Sequence, residues 1–212
     1  MTTPPANRTP LPRAALVTIA ADGSKRSIPF QYIPESLRRT LEPNTVGGQP
    51  GLRAQAVRFA GAPVETISLE CLFAAADGLD SGDSVTVQYG VAPALAALAL
   101  LVYPATAAVQ AAQTLLDAGQ IEVAPAIADR LLFVWGSQRV IPCSVTAFAV
   151  TEQLYDSNLT PVLASVSLSL RAMSYSDVDA TSPTFNDFLV YQRGLERMAQ
   201  SAYGAMPPGL SV

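Results

Sequence analysis

Between Val162 and Leu170 the side chains alternate in character. Val162, Ala164, Val166, Leu168 and Leu170 fall on one register, and Leu163, Ser165, Ser167 and Ser169 on the other. A period of two belongs to a strand with one face buried, and no helix can present it. The strand is the last leg of LLFVWGSQRVIPCSVTAFAVTEQLYDSNLTPVLASVSLSL, which reads as strand, Gly-Ser turn, strand, turn at DSNLT, strand. This meander carries no nucleophile, base or metal ligand set. Its serine row is small, flat and uncharged, which suits either solvent surface or the wall of a wide lumen. Trp135, just before the first turn, reads as core or interface and not as part of a ligand box.

The same pattern recurs upstream. RAALVTIAADGSKRSIPFQYIP is a hairpin turning at ADGS, and PVETISLECLF alternates with Ile67, Leu69, Cys71 and Phe73 on one side. EPNTVGGQPGLRAQ is a long loop. DGLDSGD is an acidic turn whose aspartates lack the spacing of a calcium loop. APALAALALLVY and TAAVQAAQTLLDAG predict two Ala-rich helices, the second ended by Gly119. No charge interrupts Val91 to Leu116, but Pro93, Pro104 and the alanines argue for a buried helix pair against a membrane span. In SPTFNDFLVYQRGLERMAQSA, apolar residues recur at helical spacing from a cap at Thr184 or Asn186. Phe188 faces either its own domain or a neighbouring subunit.

A chain of 212 residues, half of them apolar and 14% charged, can bury a sizeable core. It contains no histidine, which removes Ser-His-Asp and Cys-His catalysis and the commonest zinc ligand. Cys71 and Cys143 lie in apolar runs and read as buried free thiols. MTTPPANRTPLPR has no apolar core of a secretory signal. A net charge of −4 gives no footprint for nucleic acid. Charge is uneven, however: residues 1–58 carry eight basic and three acidic groups, and the remainder five basic and fourteen acidic. Either these are solvated faces, or a basic region docks head to tail on an acidic neighbour, with Arg38 and Arg39 prominent in it.

Three stretches, in order, resemble one family. IPFQYIPESLRRTLEP is similar to its N-terminal signature, with Ile33 in place of the usual Asn before Pro34. PVETISLECLF resembles its Glu-Thr-Ile-x-Leu strand, and FVWGSQRVIPCSVTAFAVTEQLYDSNLTPVLASVSLSLR its Phe-x-Trp-Gly strand and following hairpin. The family is the tube-like adaptor proteins of contractile injection systems, whose members often carry a LysM peptidoglycan-binding appendage. FLVYQRGLERMAQ is not a LysM pattern, so peptidoglycan binding is not carried over.

The resemblance, over roughly residues 14–178, implies an α+β, mainly β, tail-tube-like barrel or sandwich with packed Ala-rich helices and a C-terminal helix. The expected layout is a flexible arm at 1–12, a tube-like β domain at 13–178 with a helical insertion at about 92–118, and a C-terminal helical arm at 179–212. It implies a non-enzymatic baseplate part that needs no cofactor or metal, forms a homo-oligomeric, hexameric ring, and joins the spike–hub protein to the inner tube among other baseplate proteins. Assembly is expected in the cytoplasm, in a particle that can be released outside the cell, with neither nucleic acid nor membrane as partner. The candidate interface residues are Arg38, Arg39, Trp135, Ser165, Ser167, Ser169 and Phe188. The alternatives are a cap-end tube terminator of the same machinery and a small-ligand or carbohydrate-binding β-domain.

Overall fold

Alternating apolar side chains can be buried only if their strands share a sheet, and here they do. The computed structural model describes residues 14–32, 34–47, 57–119 and 128–204. The arm at 1–12, most of the Gly-rich loop and the tail after 204 lie outside the described residues. Seven antiparallel strands form one sheet in the order β2-β1-β7-β8-β9-β6-β3. They are β1 (Ala15–Ile19), β2 (Lys25–Pro29), β3 (Leu37–Glu42), β6 (Val64–Ala74), β7 (Arg130–Trp135), β8 (Arg139–Tyr155) and β9 (Pro161–Ala172). A separate short pair joins β4 (Thr45–Val46) to β5 (Arg58–Phe59). The fold is α+β and mainly β, as expected.

The sheet is open but strongly curled. Gln31 lies two residues past β2, yet its carboxamide donates to the carbonyl of Ala74 at 2.6 Å and accepts from the Ala74 N–H at 2.9 Å. Ala74 is on β6, five strands away, or roughly 24 Å across a flat sheet. Two residues and a side chain reach only about half that distance, so the sheet must bend until its ends approach. They are not joined by a strand ladder, and the barrel does not close.

One face of the sheet holds the core. Ile67, Leu69, Cys71 and Phe73 of β6 pair across with Leu170, Leu168, Val166 and Ala164 of β9, and all eight are buried. Leu16, Phe133 and Ile141 extend the layer. Two helices join this core: α3 (Ala92–Ala99) through Leu95 and Leu98, and α5 (Pro183–Ala202) through Phe188 and Tyr191. Each fully buried aliphatic chain contributes about 1.5–3 kcal/mol. The opposite face carries Ser165, Ser167 and Ser169.

Three local expectations differ from the structure. The acidic turn is two short helices, α1 (Ala76–Ser81) and α2 (Ser84–Tyr89). Gly82 ends the first at φ 69°, and Asp83 caps the second by accepting from the Thr86 N–H. The cap of α5 is Ser182, followed by Pro183 in the first turn, where a missing N–H costs nothing. The two Ala-rich helices are not equally buried. In α4 (Thr106–Asp117) no residue is buried, and Val109, Leu115 and Leu116 are exposed. No helix among the described residues is long and apolar enough to cross a membrane.

Candidate functional site: an open strand edge

Strand β8 is the longest element of the sheet, and its two halves have different surroundings. Arg139–Cys143 pairs with β7 on one side, with Ile141, Pro142 and Cys143 buried. From Ser144 to Tyr155 its only strand partner among the described residues is β9. From Thr146 onward every residue but Phe148 is exposed. The β8–β9 hairpin thus extends past β7 while β6 still flanks its β9 side, and among the described residues the other edge of β8 has no strand partner there. Bulges interrupt it between Val145 and Ala147 and between Glu152 and Leu154. Its turn is held by Asp156, whose carboxylate accepts from the N–H groups of Thr160 and Asn158 at 2.8 Å each. Those bonds, from Thr160 first, keep the Asp156 carboxyl below its usual pKa. Leu159, at φ 63°, sits exposed at the tip.

The direction of the backbone groups on this edge follows from the ladder. The Met173 N–H donates to the Pro142 carbonyl, so that residue pair is hydrogen-bonded. Alternation along β9 then makes Ser169, Ser167 and Ser165 the hydrogen-bonded partners of Ala147, Ala149 and Thr151. The N–H and C=O groups of Phe148, Val150 and Glu152 therefore point at the open edge. The same reasoning applies at the far end of the sheet. Ala74 turns its backbone groups toward the β3 side, where Gln31 holds them. Ser68 and Thr66 consequently bond Arg38 and Thr40, leaving the backbone groups of Leu37, Arg39 and Leu41 pointing outward.

Arg38 and Arg39 do not form one basic patch. Arg38 is exposed on the serine face, whereas Arg39 turns toward the core face and packs against α5. Its Nε donates to Glu65 Oε1 at 2.7 Å, and its Nη2 donates to the Tyr191 hydroxyl and lies 2.6 Å from Glu65 Oε1. That hydroxyl donates in turn to Glu65 Oε2 at 3.1 Å. Burial, reinforced by the Glu65 charge, pushes the Tyr191 hydroxyl up to about 12. A second ion pair, Arg130 with Asp187 at 3.4 Å, also ties α5 to the sheet. Sequence reading missed Glu65, although a signal was present: it shares the register of Ile67, Leu69, Cys71 and Phe73, where a charge requires a partner.

Trp135 stacks on Phe133 at 5.7 Å and packs against the core, so it serves packing. Phe188 is buried edge-on between Tyr175 and Tyr191 of its own chain. Ser165, Ser167 and Ser169 do share one face, bordered by Ser68, Glu70 and Leu72 of β6 and by Ala147, Ala149 and Thr151 of β8. Ser169 lies 3.4 Å from the Ser68 hydroxyl. Both cysteines are buried free thiols, pushed up to about 12 chiefly by burial. Among the described residues no group of three or more His, Cys, Asp or Glu side chains is placed to hold a metal. A cleft of about 460 Å³ is lined by Tyr32, Pro34, Glu35, Glu70, Leu72 and Ser165. No protein-family model matches this chain, and no curated protein matches it significantly.

Proposed function

We propose that this chain is a structural subunit that joins copies of itself edge to edge into a ring, at the baseplate of a contractile injection particle. There it would connect the spike–hub complex to the inner tube and template the tube's first ring. The observation that carries this reading is the match between two edges, of β8 and of β3, that have no strand partner among the described residues. On β8 the residues whose backbone groups face outward, Phe148, Val150 and Glu152, carry side chains on the core face. On β3 the outward residues, Leu37, Arg39 and Leu41, do so as well. An antiparallel ladder between β8 of one copy and β3 of the next therefore keeps core face against core face and serine face against serine face. The edge strand β2 offers no such match, because its outward groups belong to Lys25, Ser27 and Pro29, whose side chains lie on the other face.

Because β3, β6, β9 and β8 alternate in direction, β8 meets the next copy's β3 antiparallel with every copy oriented alike. Such a head-to-tail contact closes into a ring when the rotation per copy divides a full turn. It would gather the serine faces into one continuous inner wall. The six-fold number and the place in the particle rest on the motif resemblance.

Native mass spectrometry and electron microscopy of the purified chain, alone and with its inner tube and hub proteins, test the proposal. The expected result is a closed ring that seeds tube growth. A monomer in every mixture overturns it and moves attention to the Tyr32–Glu70 cleft as a small-ligand site. Rings found only at the distal end of the particle would instead assign the cap-end role.

A further inference from the structure

We infer that, in the edge-to-edge ring proposed above and resting on that reading, Glu152 of one copy pairs with Arg39 of the next, and Val150 with Leu41. The backbone parity permits several registers two residues apart. Side-chain chemistry selects among them. Leu41 and Val150 are apolar, on the core face, and exposed by 49% and 37% respectively. Placing them opposite each other covers both. The same register sets Glu152 against Arg39 and, on the serine face, Thr151 against Thr40. A shift of two residues in one direction instead sets Val150 against the Arg39 charge and Glu152 against Leu37.

Arg39 has the capacity for this contact. Its Nε and Nη2 are used within the chain, whereas no hydrogen bond to Nη1 occurs among the described residues. The side chain is 24% exposed. A guanidinium carries five N–H donors in a planar fork, so a second carboxylate can bind without disturbing the first. Glu152 is exposed, on the part of β8 that β7 does not reach. The same arginine also holds Tyr191, so the subunit contact falls on the group that fastens α5 to the sheet.

The register is read by cross-linking. Thr40 and Thr151 would form a non-hydrogen-bonded pair, the type with Cα atoms about 4.5 Å apart, within disulfide range. Within one chain β6 and β9 separate β3 from β8, so the pair cannot close intramolecularly. The buried native thiols do not compete. Thr40→Cys combined with Thr151→Cys should give, on mild oxidation, a ladder of covalent multimers up to the ring. Arg38→Cys combined with Thr151→Cys, the register shifted by two, should not. Glu152→Lys should weaken ring assembly roughly tenfold while the monomer keeps its melting temperature. Rings that cross-link through the Arg38 pair, or through neither pair, overturn this register and leave the ring intact. So does a Glu152→Lys variant that assembles normally. Absence of any ring or cross-link removes both the register and the ring.

Discussion

Replacing Arg39 with alanine should destabilise the monomer far more than the same change at Arg38, one residue away. Arg39→Ala strips its ion partner from Glu65, whose side chain is only 6% exposed. Removing one member of a buried pair costs about 3–5 kcal/mol, because the remaining charge stays desolvated. The Tyr191 hydroxyl still donates to Glu65, so the low end, about 3 kcal/mol, is expected. For a domain of this size that corresponds to a fall in melting temperature of roughly 6–12 °C. Arg38 is exposed and makes no hydrogen bond or ion pair among the described residues, so Arg38→Ala should stay within about 0.5 kcal/mol of the parent. Differential scanning calorimetry of the two variants at neutral pH, below any ring-forming concentration, makes the comparison. Combining Arg39→Met with Glu65→Leu should recover most of the loss, since no charge is then buried alone. Equal shifts for Arg38→Ala and Arg39→Ala would refute the reasoning, as would a double variant no better than Arg39→Ala.

Val166 is 1% exposed, so Val166→Asp should cost at least about 3 kcal/mol, whereas Ser167→Trp on the open face should melt like the parent and disturb only ring stacking or passage through the tube; urea titration and particle ejection assays separate the two. In Gly90→Ala the new Cβ would stand 2.1 Å from the Pro161 carbonyl oxygen, at φ 58°, ψ −128°, and a loss of at least about 2 kcal/mol in chemical denaturation is expected. The thiols of Cys71 and Cys143 and the Tyr191 hydroxyl are all raised to about 12. Each ionises to an anion that is favoured in the unfolded chain, so their contribution is full below about pH 9 and is lost as pH rises toward 12. Denaturation curves from pH 8 to 11 should show falling stability and native-state thiol labelling at pH 8 should be slow; a flat profile or rapid labelling contradicts the burial of these groups.

The strands were legible because their signal is local. Ile67 to Phe73 and Val162 to Leu170 each show a face within a handful of residues, and the same faces are buried in the fold. Helices α1 and α2 were not legible, because six residues give less than two turns and no periodicity to detect. The arginine pair shows a different limit. Adjacent residues on a strand point to opposite faces, so once β3 is recognised as a strand, Arg38 and Arg39 must have separate environments. Their short polar run, without apolar alternation, hid the strand itself. Which of the two faced a partner depended on Glu65 and Tyr191, 26 and 152 residues away.

By itself, the sequence determined which side chains share a face, since period two is a property of the extended backbone wherever the strand lies. It also excluded histidine-based chemistry outright. Only the tertiary structure decided which edges lack a strand partner among the described residues. Strand order is set by contacts between distant segments: β1 and β2 insert beside β7, β3 attaches beside β6, and among the described residues β7 pairs with only the first five residues of β8. The edge left over, with its outward backbone groups matched in face to those of β3, belongs to no single segment of the chain, so no local pattern can announce it.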